Sequence, residues 1–280
     1  MLNDSKIAFI GSGAMAEAMI AGLLNQELVN PKLLMAAGPR EERASALREK
    51  YGIGATTHNL EAAQGAAVVA LAVKPQVLPI IVPELDGQVA PGALVLSIIA
   101  GARIENIARG LHHSGIVRAM PNTPAQIGQG ITVWTASADV SADQRRQAEM
   151  ILSALGEQVF VDDEDYLDMA TALSGTGPAY VFLFMEAMVD AGVHLGFSRH
   201  VAEKLVLQTV KGSVEYILHS PNHLARLRNQ VTSPGGTSAE ALYFLEKAGF
   251  RTALSRAIWA AYQRSVQLGR GKKRNHLEDE

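Results

Sequence analysis

The stretch KIAFIGSGAMAEAMIAGL, Lys6 to Leu23, constrains the chain more than any other. An apolar strand runs without a spare residue into a glycine loop, and the loop opens directly into an amphipathic helix. Gly11 permits the tight turn, Gly13 lets a pyrophosphate approach the backbone, and the small Ala16 lets helix and strand pack closely. Ser12, Ala14 and Met15 complete the loop, which is expected to line a dinucleotide. A lone glycine pattern would say little, but one that follows a strand, opens a helix and begins a βαβ series predicts a parallel α/β sheet.

The rest of the chain bears on that expectation. Lys6–Ile10, Leu33–Ala37, Ala67–Val73, Leu94–Ile98 and Ile116–Ala119 read as strands, with helical patterns such as Met15–Leu24 and Glu41–Lys50 between them. Near-continuous apolar strands separated by helices predict a parallel sheet covered on both faces. From Tyr166 to about Leu268 only helical patterns remain: Ala179–Leu195, Arg199–Leu218, Ala239–Lys247 and Thr252–Leu268. The predicted fold is α/β, a Rossmann-type doubly wound sheet over 1–163 followed by an all-helical domain over 164–270. Residues 271–280 are expected to form a disordered tail.

With 280 residues, 48% hydrophobic and 19% charged, the chain can bury a full core, and the length suits two domains. Met185, Met188, Val189, Val193 and Leu195 crowd one predicted helix on several sides, as do Ile258, Trp259, Tyr262 and Val266 later. One layer of helices cannot easily hide such a surface, so an oligomer interlocked through the helical domain is expected; the competing reading is a monomeric core. The formal net charge of -3 shows no basic excess, and the one basic cluster, RGKKRNH from Arg270, is followed at once by acids. Nucleic acid is therefore not an expected partner. The absence of cysteine excludes disulfides and thiolate chemistry. The N-terminus carries no leader pattern, and apolar runs such as AAVVALAV are too short to span a bilayer, so a cytoplasmic protein without membrane or metal is expected.

The end of the second strand bears on the cofactor. An acid placed there would bind the adenosine ribose of NAD, but LLMAAGPREER supplies Ala37, Gly38 and Pro39, with Arg40 just beyond. No carboxylate repels a 2′-phosphate and a guanidinium is at hand to pair with one, so NADP(H) is favoured and NAD(H) is possible. The plainer reading of Arg40 is a surface residue opening the next helix. Two further loops fall at strand C-termini, where such a sheet binds ligands. AVKPQ brings Val73, Lys74 and Pro75, and RAMPNTPAQIGQG brings Met120, Asn122 and Thr123, whose side-chain amide and hydroxyl suit a ribose or carboxamide.

An alcohol dehydrogenase needs an acid/base beside the carbinol. The helix after LSGTGPAY carries Glu186, Asp190 and His194 but no lysine, and Lys204 and Lys211 belong to the next helix. His112 and His113 read as a surface turn, and DDEDYLD as a solvated helix start rather than a catalytic carboxylate pair. A substrate that already holds a C=N bond needs less help, because an iminium is a ready hydride acceptor.

The set IGSGAMAEAMI, AVKPQ, VRAMPNTPA, LSGTGPAY and LRNQVTSPGGTSAEALYFLE resembles the pyrroline-5-carboxylate reductase family, in order and across nearly the whole chain. The resemblance implies NAD(P)H-dependent reduction of 1-pyrroline-5-carboxylate to L-proline, the last step of proline synthesis, in a dimer or a ring of dimers. It further implies that Ser174, Gly175, Thr176 and Gly177 form a substrate wall with the late loop Ser233–Ser238. There the N–H groups of Gly235, Gly236 and Thr237 would hold the substrate carboxylate at a helix start, and the Ser238 hydroxyl would face the ring nitrogen as the catalytic group. Two residues depart from the family pattern: Ala14 stands where asparagine is usual, and Ser238 where threonine is more common.

Overall fold

The computed structural model describes Leu2 and residues 5–269; the basic cluster from Arg270 and the tail expected over 271–280 lie outside the described residues. Eight strands form one sheet: β1 (Ile7–Ile10), β2 (Leu34–Ala37), β3 (Gly54–Thr56), β4 (Val68–Leu71), β5 (Leu94–Ser97), β6 (Ile116–Met120), β7 (Gly130–Ala136) and β8 (Gly156–Phe160). Their order is β3-β2-β1-β4-β5-β6-β7-β8, so the direction of winding reverses between β1 and β4. That reversal is where an open α/β sheet leaves a crevice beyond its strand ends.

The sheet is not purely parallel, which corrects the expectation. β7 runs antiparallel to β6, with Ala119 opposite Trp134, while β8 returns parallel to β7. The reason is local: only a short 3-10 turn, Thr123–Ile127, connects β6 to β7, and a parallel crossover needs a dozen residues or more. β3, β7 and β8 are not legible in the sequence pattern. GAT and GEQVF carry too little apolar signal, and GITVWTA follows a proline- and glycine-rich segment that reads as loop.

Each central strand is buried along its whole length, as a sheet covered on both sides requires. On one face Ile7 and Phe9 pack against helices α1 (Ala14–Asn25), α2 (Glu41–Tyr51) and α6 (Ala142–Ser153). On the other, Ala8 and Ile10 pack against α3 (Asn59–Ala63), α4 (Leu78–Leu85) and α5 (Ile104–Leu111). After β8 the short α7 (Tyr166–Ala170) passes into one π-helical turn, Thr171–Gly175.

The chain divides into two compact units. One comprises the residues up to Thr176 together with the end of the last helix from Ala261; the other is Gly177–Ala260. Packing thus sets the boundary thirteen residues past the expected 163, because Leu167, Ala170 and Ala172 are buried in the first unit and Asp168 is tied to β6.

The second unit holds α8 (Gly177–His194), α9 (Arg199–Leu218), α10 (Leu224–Gln230), α11 (Thr237–Lys247) and most of α12 (Phe250–Gly269). α8 and α9 form a hairpin. Gly196 takes a left-handed turn at φ 110°, Ser198 caps α9, and Asp190 pairs with Arg199 at 2.9 Å. Its buried apolar cluster is small: Val189, Ala202 and Val206, flanked by Met185, Met188 and Val210. Val193 and Leu195, expected to be hidden, are exposed here, as are Phe182, Leu183 and Trp259. The helical stretch Tyr166–His194 spans 29 residues and holds an 18-residue window of mean hydropathy 1.2, long and apolar enough by length and composition alone to cross a bilayer, unlike the short apolar strands.

Candidate active site

Gly11 sits at φ 105°, a conformation L side chains rarely adopt, and its N–H donates to the Ala37 carbonyl at 2.9 Å. A Cβ at Gly11 would lie 2.5 Å from the Ala72 carbonyl oxygen, so only glycine closes this corner. A Cβ on Gly13 would meet open space, which leaves room beside the start of α1, where no side chain caps the helix. This uncapped first turn, with its positive dipole end, fits a pyrophosphate. Ala14 is exposed on that turn, Met15 packs partly against the core and Ala16 is fully buried.

The loop is braced from beneath by residues that no sequence motif singles out. Arg43 donates from Nε to the Ser12 carbonyl at 2.9 Å and pairs through its guanidinium with Glu17. Glu17 also accepts from Lys50 at 2.9 Å and from the Tyr51 hydroxyl at 2.8 Å. The Lys50 and Arg43 hydrogen bonds hold the Glu17 carboxyl down at about 2, against the smaller opposing effect of burial. Nothing in the sequence separates Arg43 from its charged neighbours on α2; only the crossing of α1 and α2 selects it. Arg40, by contrast, is exposed, and its guanidinium has no partner among the described residues. Beside it Gly38 is buried against the Ser12 hydroxyl, so no acidic side chain occupies the ribose position at the end of β2.

At the end of β4, Val73 and Pro75 are half-buried and Lys74 is exposed; the Lys74 carbonyl accepts from Val77 N–H in a turn that leads into α4. At the end of β6, Asn122 is engaged more fully than a free recognition group would be. Its Oδ1 accepts from Ile131 N–H at 3.0 Å and its Nδ2 donates to the Ser174 carbonyl at 3.2 Å. Met120 lies beside it, with its methyl placed so that a Cβ on Gly175 would approach it to 2.7 Å. Met120, Asn122, Ser174 and Gly175 are thus brought together, while Thr123 points to an exposed position. The Ser174 hydroxyl donates to Ala170 O and the Thr176 hydroxyl to Thr171 O, so both are satisfied within the π turn. Such turns recur at functional sites.

The late loop belongs to the other unit, as does Gly177. Gly235 turns at φ 68°, and Gly236 is the N-cap of α11 with no side-chain cap. The N–H of Gly236, expected to help hold an anion, donates to Ser233 O at 3.0 Å. The N–H groups of Gly235, Thr237 and Ser238 and the half-buried Ser238 hydroxyl have no partner among the described residues. α11 therefore begins as an open anion-binding terminus with a hydroxyl on it.

Two expectations about charged residues change. DDEDYLD is not a solvated helix start: Glu164 and Asp168 face the buried Arg118, and Asp165 pairs with Arg103. Of the two histidines, His112 is exposed beside Asp86, but His113 is buried and bonded to the Ala93 carbonyl at 2.8 Å.

Comparison with known proteins identifies the arrangement. Residues 164–268 match the family model for pyrroline-5-carboxylate reductase dimerisation, and residues 6–101 match that for NADP oxidoreductase, coenzyme F420-dependent. The chain is 43% identical over 265 residues to the pyrroline-5-carboxylate reductase of Synechocystis, covering 95% of this chain and 98% of that protein. The enzyme of that name from Pseudomonas aeruginosa is 41% identical over 268 residues, covering 95% of this chain and 98% of that protein. The chain belongs to the pyrroline-5-carboxylate reductase family. A crystal structure of Plasmodium falciparum pyrroline carboxylate reductase with NADP bound superposes with a TM-score of 0.87 at 32% identity, over 95% of this chain and 99% of that one. The family's two parts, a nucleotide-type sheet and a helical region with a dimerisation match, correspond to the sheet and to the helices from α7 onward.

Proposed function

We propose that this chain reduces 1-pyrroline-5-carboxylate to L-proline, with Ser238 as the group at the ring nitrogen and the start of α11 as the seat of the substrate carboxylate. The observation that carries the assignment of roles is the open terminus of α11, where the N–H groups of Gly235, Thr237 and Ser238 stand beside an unengaged hydroxyl. Family membership supports the reaction, and the NADP-bound relative supports the cofactor.

The residues present fit an NADP(H) cofactor. Gly11 closes the turn, Gly13 leaves open space beside it, the start of α1 offers its N–H groups to the pyrophosphate, and Arg40 carries the positive charge for a 2′-phosphate. Val73, Lys74 and Pro75 in the loop after β4, with Met120 at the end of β6 and Thr123 just beyond it, line the nicotinamide end. NADPH, when bound, supplies the hydride. The protein's task is then to hold the imine flat, at near-attack distance and orientation, an effect able to supply on the order of 7–11 kcal/mol. Ser238 hydrogen-bonds the ring nitrogen as its charge falls and its basicity rises, directly or through water, so no lysine is required on α8. Gly175 and Thr176 contribute backbone and shape, since the hydroxyls of Ser174 and Thr176 are spent within their own turn.

The exposed apolar residues of α8, α9 and α11 go with a homodimer or an oligomer of dimers formed through the helical unit; the dimerisation match over 164–268 supports this. The same match, together with Glu186, Asp190 and His194 along α8, supports a protein partner rather than lipid for Tyr166–His194. A cytoplasmic location suits a biosynthetic reduction driven by NADPH.

The test is NADPH oxidation on mixing the protein with 1-pyrroline-5-carboxylate, with proline scored as product, for wild type and Ser238→Ala. Proline formation by wild type, with kcat lowered roughly 10²-fold in the variant and NADPH affinity unchanged, is the expected result. Unchanged kcat removes Ser238 from the chemistry, and no oxidation by wild type removes the reaction.

A further inference from the structure

Arg118 and Asp168 are the most deeply buried charged residues among those described in the first unit, 2% and 4% exposed. A guanidinium taken out of water is tolerated only when it is paired in good geometry and its remaining donors are hydrogen-bonded. Arg118 Nη1 donates to Glu164 Oε1 at 2.7 Å, and Nη2 lies 3.4 Å from Asp168 Oδ1. Neither carboxylate is free to move. Glu164 Oε1 also accepts from Ile104 N–H at 2.8 Å, at the start of α5, and Asp168 Oδ1 accepts from the Ser265 hydroxyl at 2.6 Å, near the end of α12. The planar fork of arginine therefore docks into a frame held by three separate elements, which the point charge of a lysine would not span.

What lies just beyond this frame gives it a purpose. Arg118 is two residues before Met120 and four before Asn122; Asp168 is three before the π turn Thr171–Gly175. The two stretches of chain that leave the ion bridge meet again at the Asn122–Ser174 bond and at the contact of Met120 with Gly175. We propose that Arg118 is a positioning residue for the reduction assigned above: its buried bridge fixes the spacing between the cofactor loop Met120–Thr123 and the turn Thr171–Gly175. The inference rests on that assignment for its effect on rate, but not for its effect on loop order.

The experiment compares wild type with Arg118→Lys, Arg118→Met and Asp168→Asn. It reads kcat, KM for 1-pyrroline-5-carboxylate, NADPH affinity and amide exchange at Ile131 and Thr176, whose N–H groups bond to Asn122 Oδ1 and Thr171 O. Arg118→Lys is expected to keep NADPH binding, to lower kcat roughly 10²-fold and to speed exchange at both amides. Combining it with Asn122→Ala is expected to add little further loss, because both act through one spacing. Unchanged kcat and exchange in a folded Arg118→Met protein, or losses that multiply in the double variant, overturn the proposal. If the arginine variants do not fold, Asp168→Asn and Ser265→Ala take their place: slower turnover with faster exchange supports the proposal, and no change in either overturns it. Should wild type fail to reduce the imine, the reaction is wrong; exchange at Ile131 and Thr176 then still decides the positioning, and unchanged protection in Arg118→Lys sinks it.

Discussion

The two units of this chain spend their apolar residues in opposite ways. In the sheet unit, β1, β4 and β5 are buried residue by residue and two apolar clusters fill both faces. In the helical unit the cluster is Val189, Ala202 and Val206 with a few neighbours, while Val181, Phe182, Leu183 and Phe184 are exposed in succession on α8. Four consecutive helical residues point around the whole helix, so no single intramolecular face could cover them. The sheet unit fills both faces of its core, whereas the helical unit leaves much of its apolar surface uncovered within the chain, the kind of surface that marks an interaction site.

Breaking that contrast gives the largest expected effect. Phe182→Glu with Leu183→Glu places charge where two apolar side chains would be buried, each worth about 1.5–3 kcal/mol. Sedimentation should show the assembly dissociated, whereas Ile80→Glu, on the exposed face of α4, should leave it intact. Persistence of the assembly in the first variant would mean that α8 is not the contact. The next effect falls on the sheet unit. Gly11→Ala combines an unfavourable backbone with a 2.5 Å approach to the Ala72 carbonyl oxygen, and thermal or denaturant unfolding should register a loss of about 2 kcal/mol or more.

Arg40→Ala tests whether the sheet unit, by itself, chooses the cofactor. Loss of one charge-assisted contact, about 1.5–3 kcal/mol, should weaken NADPH binding and leave NADH nearly unchanged in titrations of both. Equal weakening of the two would assign Arg40 to the surface. The smallest effect concerns Glu17. Its folded pKa, about 2, lies below the ordinary 4.5, so its stabilising contribution is complete above about 4.5 and is lost as pH falls toward 2. Glu17→Gln should therefore unfold more readily than wild type at neutral pH, with the difference shrinking across that acid window in melting experiments. A constant difference would show that the brace beneath the glycine loop does not depend on its charge.

Much of the site is legible in the sequence because chemistry and backbone demand coincide there. Gly11 is required by its φ and by its approach to Ala72, and the lack of an acid at the end of β2 is plain in LLMAAGPREER; each leaves a local mark in the sequence. Helix α9 is legible to its observed bounds, Arg199–Leu218, since Ser198 caps it and its pattern is long. Arg43, His113 and Asn122 are not legible in the same way, for one reason. Their partners are Ser12 with Glu17, Ala93, and Ser174 with Ile131, nine to fifty-two residues away, and local pattern carries no trace of them.

The sequence by itself determined the doubly wound plan, the glycine loop at its first turn, the helical second half and the family resemblance, because each follows from periodicity and from residues that only certain backbones admit. Tertiary structure alone decided that β7 turns antiparallel, that the packing boundary falls at Thr176, and that Glu164 and Asp168 close around a buried arginine. Those outcomes depend on which distant segments meet. A charge reads as solvated until the fold brings it a partner, and a strand declares its direction only when its neighbour is in place.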